Sequence, residues 1–180
     1  MNEAEIRAAV AGQFEAALAM LNDCLKACPD EHWDGLIAKY PFWHVGYHTL
    51  CFVDAYLSRN QEAFEGLVAE RVARRAADPS APDFQPRGMA ELEDEHPSRR
   101  FDRAELLEYA AYCAAKVREV LREGHDEPLG GPSGFWRLKF SRLELHLYNL
   151  RHVQHHAGAL GAFLRRQGVD LRWVGSGRPA

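Results

Sequence analysis

The chain has no long hydrophobic stretch. Its unbroken apolar runs extend only a few residues, too short for a helix that crosses the roughly 30 Å hydrocarbon core of a bilayer. It has no basic excess either. With 22 Lys and Arg against 26 Asp and Glu, the net charge is -4, so no concentrated basic face is offered to the phosphates that dominate nucleic-acid binding. No secretory leader is expected: MNEAEIRAAVAGQF carries acids before any base and lacks the apolar stretch of a signal peptide. Sustained strand-like alternation, internal repeats and low-complexity segments are absent too, apart from a few alternating residues around 169–174. These absences point to a cytoplasmic protein with neither a membrane nor a nucleic acid as partner.

Cysteine is scarce. Cys24, Cys28, Cys51 and Cys113 are the four present, and in a chain of cytosolic character they are expected as free thiols. Cys24 and Cys28 lie four apart on an expected helix, a spacing that can form half of a metal site. No second cysteine pair or Cys–His box accompanies them, so they are read as small buried packing residues.

What is present is an ordinary globular composition, 47% hydrophobic over 180 residues, enough for one domain spanning 1–180 with a core that needs no disulfides. Four long segments carry helical apolar periodicity. The first covers residues 2–28 through Ile6, Val10, Phe14, Leu18, Leu21 and Leu25, and ends at Pro29. A short piece at 32–38 follows, docked through Trp33 and Leu36. The second helix opens at Pro41, a residue favoured in a first turn, and runs to about residue 59. A further helical stretch covers 61–76. The loop ADPSAPDFQPRG and the acidic run ELEDEHP then form a long irregular connection. The third main helix starts after Phe101, with Asp102 as N-cap and Glu105 closing a capping box, and runs to about residue 123. After the breaker HDEPLGGPSG the fourth begins at Phe135 or Arg142 and ends at Gly168. The tail LRWVGSGRPA is expected to lay Leu171, Trp173 and Val174 on the bundle. An all-α bundle with crossover connections and short extra helices results.

Histidine is the compositional outlier. There are nine, and His146, His152, His155 and His156 crowd one segment while His44 and His48 share another. Positions four apart on a helix project together, so His152 and His156 can ligate one ion. Their stripe also carries Leu145, Asn149, Ala159 and Phe163, which turns the pair inward. His155 lies to the side, within reach of the rim of a site, and His146 falls further off the stripe. Both are expected at the surface or its boundary. On the second helix His44, His48, Cys51, Phe52 and Ala55 share a face, so at least one imidazole can meet the pair. Spacing leaves open whether it is His44 or His48. Several histidines on facing apolar stripes are costly to bury without partners, and a metal supplies one. Three imidazoles leave a tetrahedral ion one open position, the arrangement of catalytic rather than structural zinc.

FWHVGYHTLCFVDAYL in the second helix and LHLYNLRHVQHHAGAL in the fourth resemble the DinB-like (DNA-damage-inducible) superfamily, which includes relatives of the bacillithiol- and mycothiol-dependent transferases. The resemblance extends over most of the chain, including the helix order and the Arg172-Trp173-Val174 tail. It implies a DinB-like four-helix bundle, commonly a homodimer, with a three-histidine divalent metal site. Carried onto this sequence, the early ligand is His48, ahead of Val53-Asp54, and the late pair is His152 and His156. Many members follow the last ligand with Arg-Gly-Gln. Here Ala157-Gly158-Ala159 stands instead, which removes any role of that Arg and Gln and points to a different substrate.

Two functions from different classes follow. One is a metal-dependent enzyme, a thiol transferase or a hydrolase of a small amide or conjugate, with a low-molecular-weight thiol as cosubstrate. The other is a non-catalytic metal-binding stress-response protein whose ion stabilises the bundle. Zinc or nickel is the expected ion, with iron a third option, since imidazole suits all of them. Asn149, one turn before His152, is a candidate to orient a ligand or substrate, with helix packing as the alternative. Tyr47 and Tyr148 are candidate proton donors or packing aromatics. A DNA-interacting role rests on the superfamily's name alone and runs against the acidic charge.

Overall fold

A computed structural model describes residues 2–81, 99–124 and 127–177. Its first helix, α1 (Glu3–Ala27), opens on a capping box: Asn2 accepts from the Glu5 amide, and the Glu5 carboxylate accepts from the Asn2 amide. This reciprocal box satisfies two of the amide groups that every helix start leaves open. Val10, Phe14, Leu18, Leu21 and Leu25 line its buried face, and the helix stops at Cys28, ahead of Pro29.

The expected docking piece is a 3-10 turn, Asp30–His32, followed by a minimal hairpin of β1 (Leu36–Ile37) and β2 (Tyr40–Pro41). Trp33 anchors it, buried and donating its indole N–H to the Phe101 carbonyl at 3.0 Å. Leu36 does not: it is 62% exposed, because the two-residue strand turns that side chain to solvent. The hairpin leads directly into α2 (Phe42–Tyr56), with Pro41 as N-cap. The expected continuation to residue 59 is cut short at the Leu57 cap.

Helix α3 (Gln61–Ala77) is capped by Asn60. Most of the ADPSAPDFQPRG and ELEDEHP connection lies outside the described residues. Helix α4 (Arg103–Val117) opens on the expected Asp102–Glu105 box and continues as a π-type turn over Arg118–Arg122, with the Glu123 amide bonded to the Arg118 carbonyl. Helix α5 (Arg142–Arg166) is capped by Ser141 and followed by Gly168 at φ 78°. Gly168 supplies the left-handed residue that ends many helices. The tail departs from expectation at Trp173, which is 74% exposed, whereas Leu171 packs against the core. No strand forms around 169–174.

The four-helix bundle consists of α1, α2, α4 and α5. Both α1 and α2 pack against α4 and α5, which sets α1 diagonally opposite α2 and α4 diagonally opposite α5. Successive bundle helices α1 and α2 therefore sit across the core from each other, as do α4 and α5, and the chain crosses over to connect them. Across the α1–α2 diagonal Gly46 leaves room for Leu25, since an added Cβ would lie 2.8 Å from Leu25 Cδ2.

Two polar devices tie the helices together. Asp54, fully buried on α2, accepts from Arg71 of α3 at 2.6 Å, from Lys116 of α4 at 2.7 Å and from the Tyr109 hydroxyl at 3.1 Å. Arg142, fully buried at the start of α5, donates to the carbonyls of Ser58 and Ser133 at 2.9 and 3.0 Å. It thereby satisfies a carbonyl left open at the end of α2. All four cysteines are buried, and none is in a disulfide.

Candidate metal centre

Helix α2 is sheathed on nearly all sides. Of its fifteen residues only His48 falls outside the buried class, so the helix has one opening and an imidazole stands in it. Helix α5 lies alongside, and its i, i+4 pair His152 and His156 faces that opening. His152 Nε2 is 3.2 Å from His48 Nε2 and 3.1 Å from His156 Nε2. One ligand atom from each ring falls within 4.8 Å of the others. All three side chains are half-buried.

These distances can be tested against an ion. Nitrogens about 2.0–2.1 Å from a tetrahedral zinc stand roughly 3.3 Å apart, close to both separations observed. Protons cannot satisfy the arrangement equally well. A neutral imidazole holds one N–H, so each N···N contact needs one ring to donate and the other to accept. A single cation accepts a lone pair from all three at once. Burial also keeps the His152 and His156 rings neutral, as ligation requires. It pushes His152 down to about 3, with the neighbouring His156 and His48 adding to the effect. His156 is brought down to about 4 by burial and then by His48. The three residues present fit a divalent ion.

Phe52, one turn after His48, braces the cluster. Its ring meets His48 edge-on at 4.9 Å and His152 at 5.0 Å, fixing both against rotation from one side. Among the described residues no carboxylate joins the group. An ion there would keep its full double positive charge at the open position.

The other histidines separate from this centre. His44 is buried, with its ring against Tyr40 at 5.0 Å and Trp43 at 5.5 Å, and it is not part of the three-residue group. His155 is exposed, with its ring edge-on to His156 at 5.0 Å, a rim position. His146 corrects the surface expectation, since it is fully buried. A single inward stripe was too narrow a description of α5. The helix packs against both α1 and α2, so its covered arc widens to take in residues to either side of the stripe.

Asn149 is fully buried, and neither of its amide atoms has a hydrogen-bond partner among the described residues. Tyr47 is fully buried and stacks on Phe101 at 4.4 Å, a packing role. Tyr148 is half-buried between Tyr56 and Phe140. Cys24 and Cys28 form no half-site: Cys24 Sγ donates to the Ala157 carbonyl and Cys28 Sγ to the Pro29 carbonyl. A cavity of about 720 Å³ between α1 and α4, lined by Leu18, Ala19, Ala110 and Ala114 among others, includes none of the three histidines. Sequence reasoning missed the Asp54 cluster. Its cations sit on helices whose mutual register no local pattern reveals.

An all-helical bundle with three histidines converging from two core helices belongs to the class of proteins that can hold a metal ion between facing helices. The profile of the DinB superfamily matches residues 13–160, and the chain belongs to that superfamily. No curated protein and no solved structure matches it.

Proposed function

We propose that the chain binds one divalent ion through His48, His152 and His156 and uses it as a metal-dependent enzyme, a thiol transferase or a hydrolase of a small amide or conjugate. The observation that carries this reading is the convergence of three imidazole nitrogens with no carboxylate among them. When bound, such an ion supplies positive charge and an open position at which water or a thiol loses its proton at neutral pH. The chain's own part is to hold His152 and His156 neutral by burial and to brace His48 and His152 on Phe52. An uncompensated double charge favours an anionic fourth partner, which supports a thiolate over a neutral donor. The likeness to superfamily transferases points the same way, towards a low-molecular-weight thiol as cosubstrate and a homodimer as the assembly. Zinc and nickel fit the imidazole set best, and iron also suits it.

The alternative is a non-catalytic stress-response protein in which the ion only stabilises the bundle. The half-burial of all three histidines favours the enzyme, because a purely structural site gains from being closed. Among the described residues no helix is long and apolar enough to cross a membrane, and a small solute is the proposed partner.

The deciding experiment is elemental analysis of tag-free protein followed by cobalt substitution. Near-stoichiometric metal, lost in His152→Ala, is expected. Addition of a small thiol to the cobalt form should produce a sulfur-to-metal charge-transfer band. A wild-type chain that cannot be loaded with any divalent ion rejects the reading. A loaded chain whose spectrum ignores both thiol and pH supports the structural alternative.

A further inference from the structure

Asn149 and His152 present a shared anomaly. Asn149 has no exposed surface, and neither Oδ1 nor Nδ2 finds a partner among the described residues; Nδ1 of His152 is likewise buried without one. A buried polar group left unsatisfied costs about 1–3 kcal/mol, so three such atoms within one helical turn call for a reason. Residues three apart on a helix are surface neighbours, and a helical side chain leans back over the turn preceding it. The His152 ring therefore extends towards the turn that carries Asn149.

We infer that Asn149 is a positioning residue for His152: its carboxamide oxygen accepts the Nδ1 proton of that ring when Nε2 is given to an ion. This deepens the metal reading above and rests on it. A histidine that ligates through Nε2 must carry its remaining proton on Nδ1, and the partner of that proton fixes both tautomer and ring orientation. Among the three rings of the cluster, His152 is the one whose Nδ1 is buried with no partner among the described residues. Its Nε2 also lies 3.2 Å from His48 Nε2 and 3.1 Å from His156 Nε2, so it stands between the other two ligand atoms. The terminal torsion of asparagine is broad and roughly two-fold, so Oδ1 can turn to the ring without moving the backbone. Full burial sets this role apart from substrate binding. A small molecule cannot reach a side chain with no exposed surface unless the bundle opens.

The test compares wild type with Asn149→Leu, which keeps the bulk and removes the acceptor, and Asn149→Asp, which keeps an acceptor oxygen. Zinc affinity is measured by competition with a chelator, and the His152 tautomer by nitrogen-15 NMR of the ion-free chain. Asn149→Leu should weaken zinc binding about 10–100-fold, as loss of such a partner does elsewhere, while the cooperative unfolding transition persists. Asn149→Asp should hold zinc at least as tightly as wild type. The Nδ1–H form of His152 should dominate in wild type and give way to a mixture in Asn149→Leu. Should Asn149→Leu not fold, Asn149→Ala carries the same expectation. Equal zinc affinity in wild type and Asn149→Leu, with the tautomer unchanged, overturns the inference and leaves the histidine site standing. A wild type that takes up no zinc, nickel or iron overturns the metal reading itself, and this inference with it.

Discussion

Lys116 Nζ on α4 donates to Asp54 Oδ1 on α2 across 2.7 Å, at a carboxylate with no solvent exposure. Arg71 meets the other oxygen at 2.6 Å. Breaking a buried pair from one side leaves charge uncompensated and typically costs about 3–5 kcal/mol. Asp54→Ala should therefore lower the unfolding free energy by about that much in a urea titration, since two cations lose their partner. Zinc affinity should stay the same, because the partners of Asp54 are on α3 and α4. A change below about 1 kcal/mol would show that water compensates the cations and that the cluster contributes little.

Ligand replacement should separate His48 from its neighbour. His48→Ala is expected to lose zinc by more than the roughly 100-fold upper range seen for loss of an outer partner. His44→Ala should keep full zinc affinity, since that ring belongs to the Tyr40–Trp43 cluster. Both variants should retain helical circular dichroism. Equal losses in the two would mean that the early ligand has been misassigned.

The thiols give a pH-dependent prediction. Burial pushes Cys24 up to about 11, with Asp23 adding to it, and burial likewise pushes Cys28 up to about 11. Both stay protonated at pH 8, so a disulfide reagent should modify the folded chain far more slowly than the denatured one. The sign of the linkage is fixed by the raised folded values. The unfolded chain releases its thiol protons near 8.5, while the folded chain holds them. Stability is intact below that pH and falls as pH rises towards 11. A melting temperature that does not move between pH 8.5 and 10.5 would contradict this.

Two glycines should respond to alanine in opposite directions. Gly158 lies within α5 with nothing within 4 Å of an added Cβ, so Gly158→Ala should stabilise by about 0.5–1 kcal/mol through helix propensity. Gly134 has φ 84°, and a Cβ there would lie 2.7 Å from the Arg59 carbonyl oxygen. Gly134→Ala should destabilise by more than about 1 kcal/mol. Thermal melts of both single variants check the pair.

Much of the fold was legible because helix ends advertise themselves locally. Asp102 and Glu105 read as a capping box in sequence and form one in space. The late pair was legible for the same reason: four residues on one helix is a fixed relation. The early histidine of the cluster was not. His44 and His48 share a face of α2, and which of them meets α5 depends on how far the two helices slide past each other. That axial offset is set by packing across the whole core, and the resemblance to the superfamily supplied the choice. His146 was misplaced because periodicity describes one covered stripe, whereas α5 has two neighbours. Trp173 was misplaced because size and apolarity carry no information about direction once regular periodicity ends. Arg142 stands in the sequence only as a candidate helix start, and its burial follows from carbonyls at 58 and 133 that no local pattern brings near it.

His48 and His152, whose ring nitrogens touch, are separated by 104 residues of chain. An ion shared between them would act as a clasp on a very long loop, the case in which closure removes most freedom from the unfolded chain. It also orders events in time. During synthesis the early ring emerges long before its partners, and the grip is complete only when α5 has emerged and docked. Metal uptake would then mark the assembled bundle, and a truncated or misassembled one would betray itself by remaining unloaded.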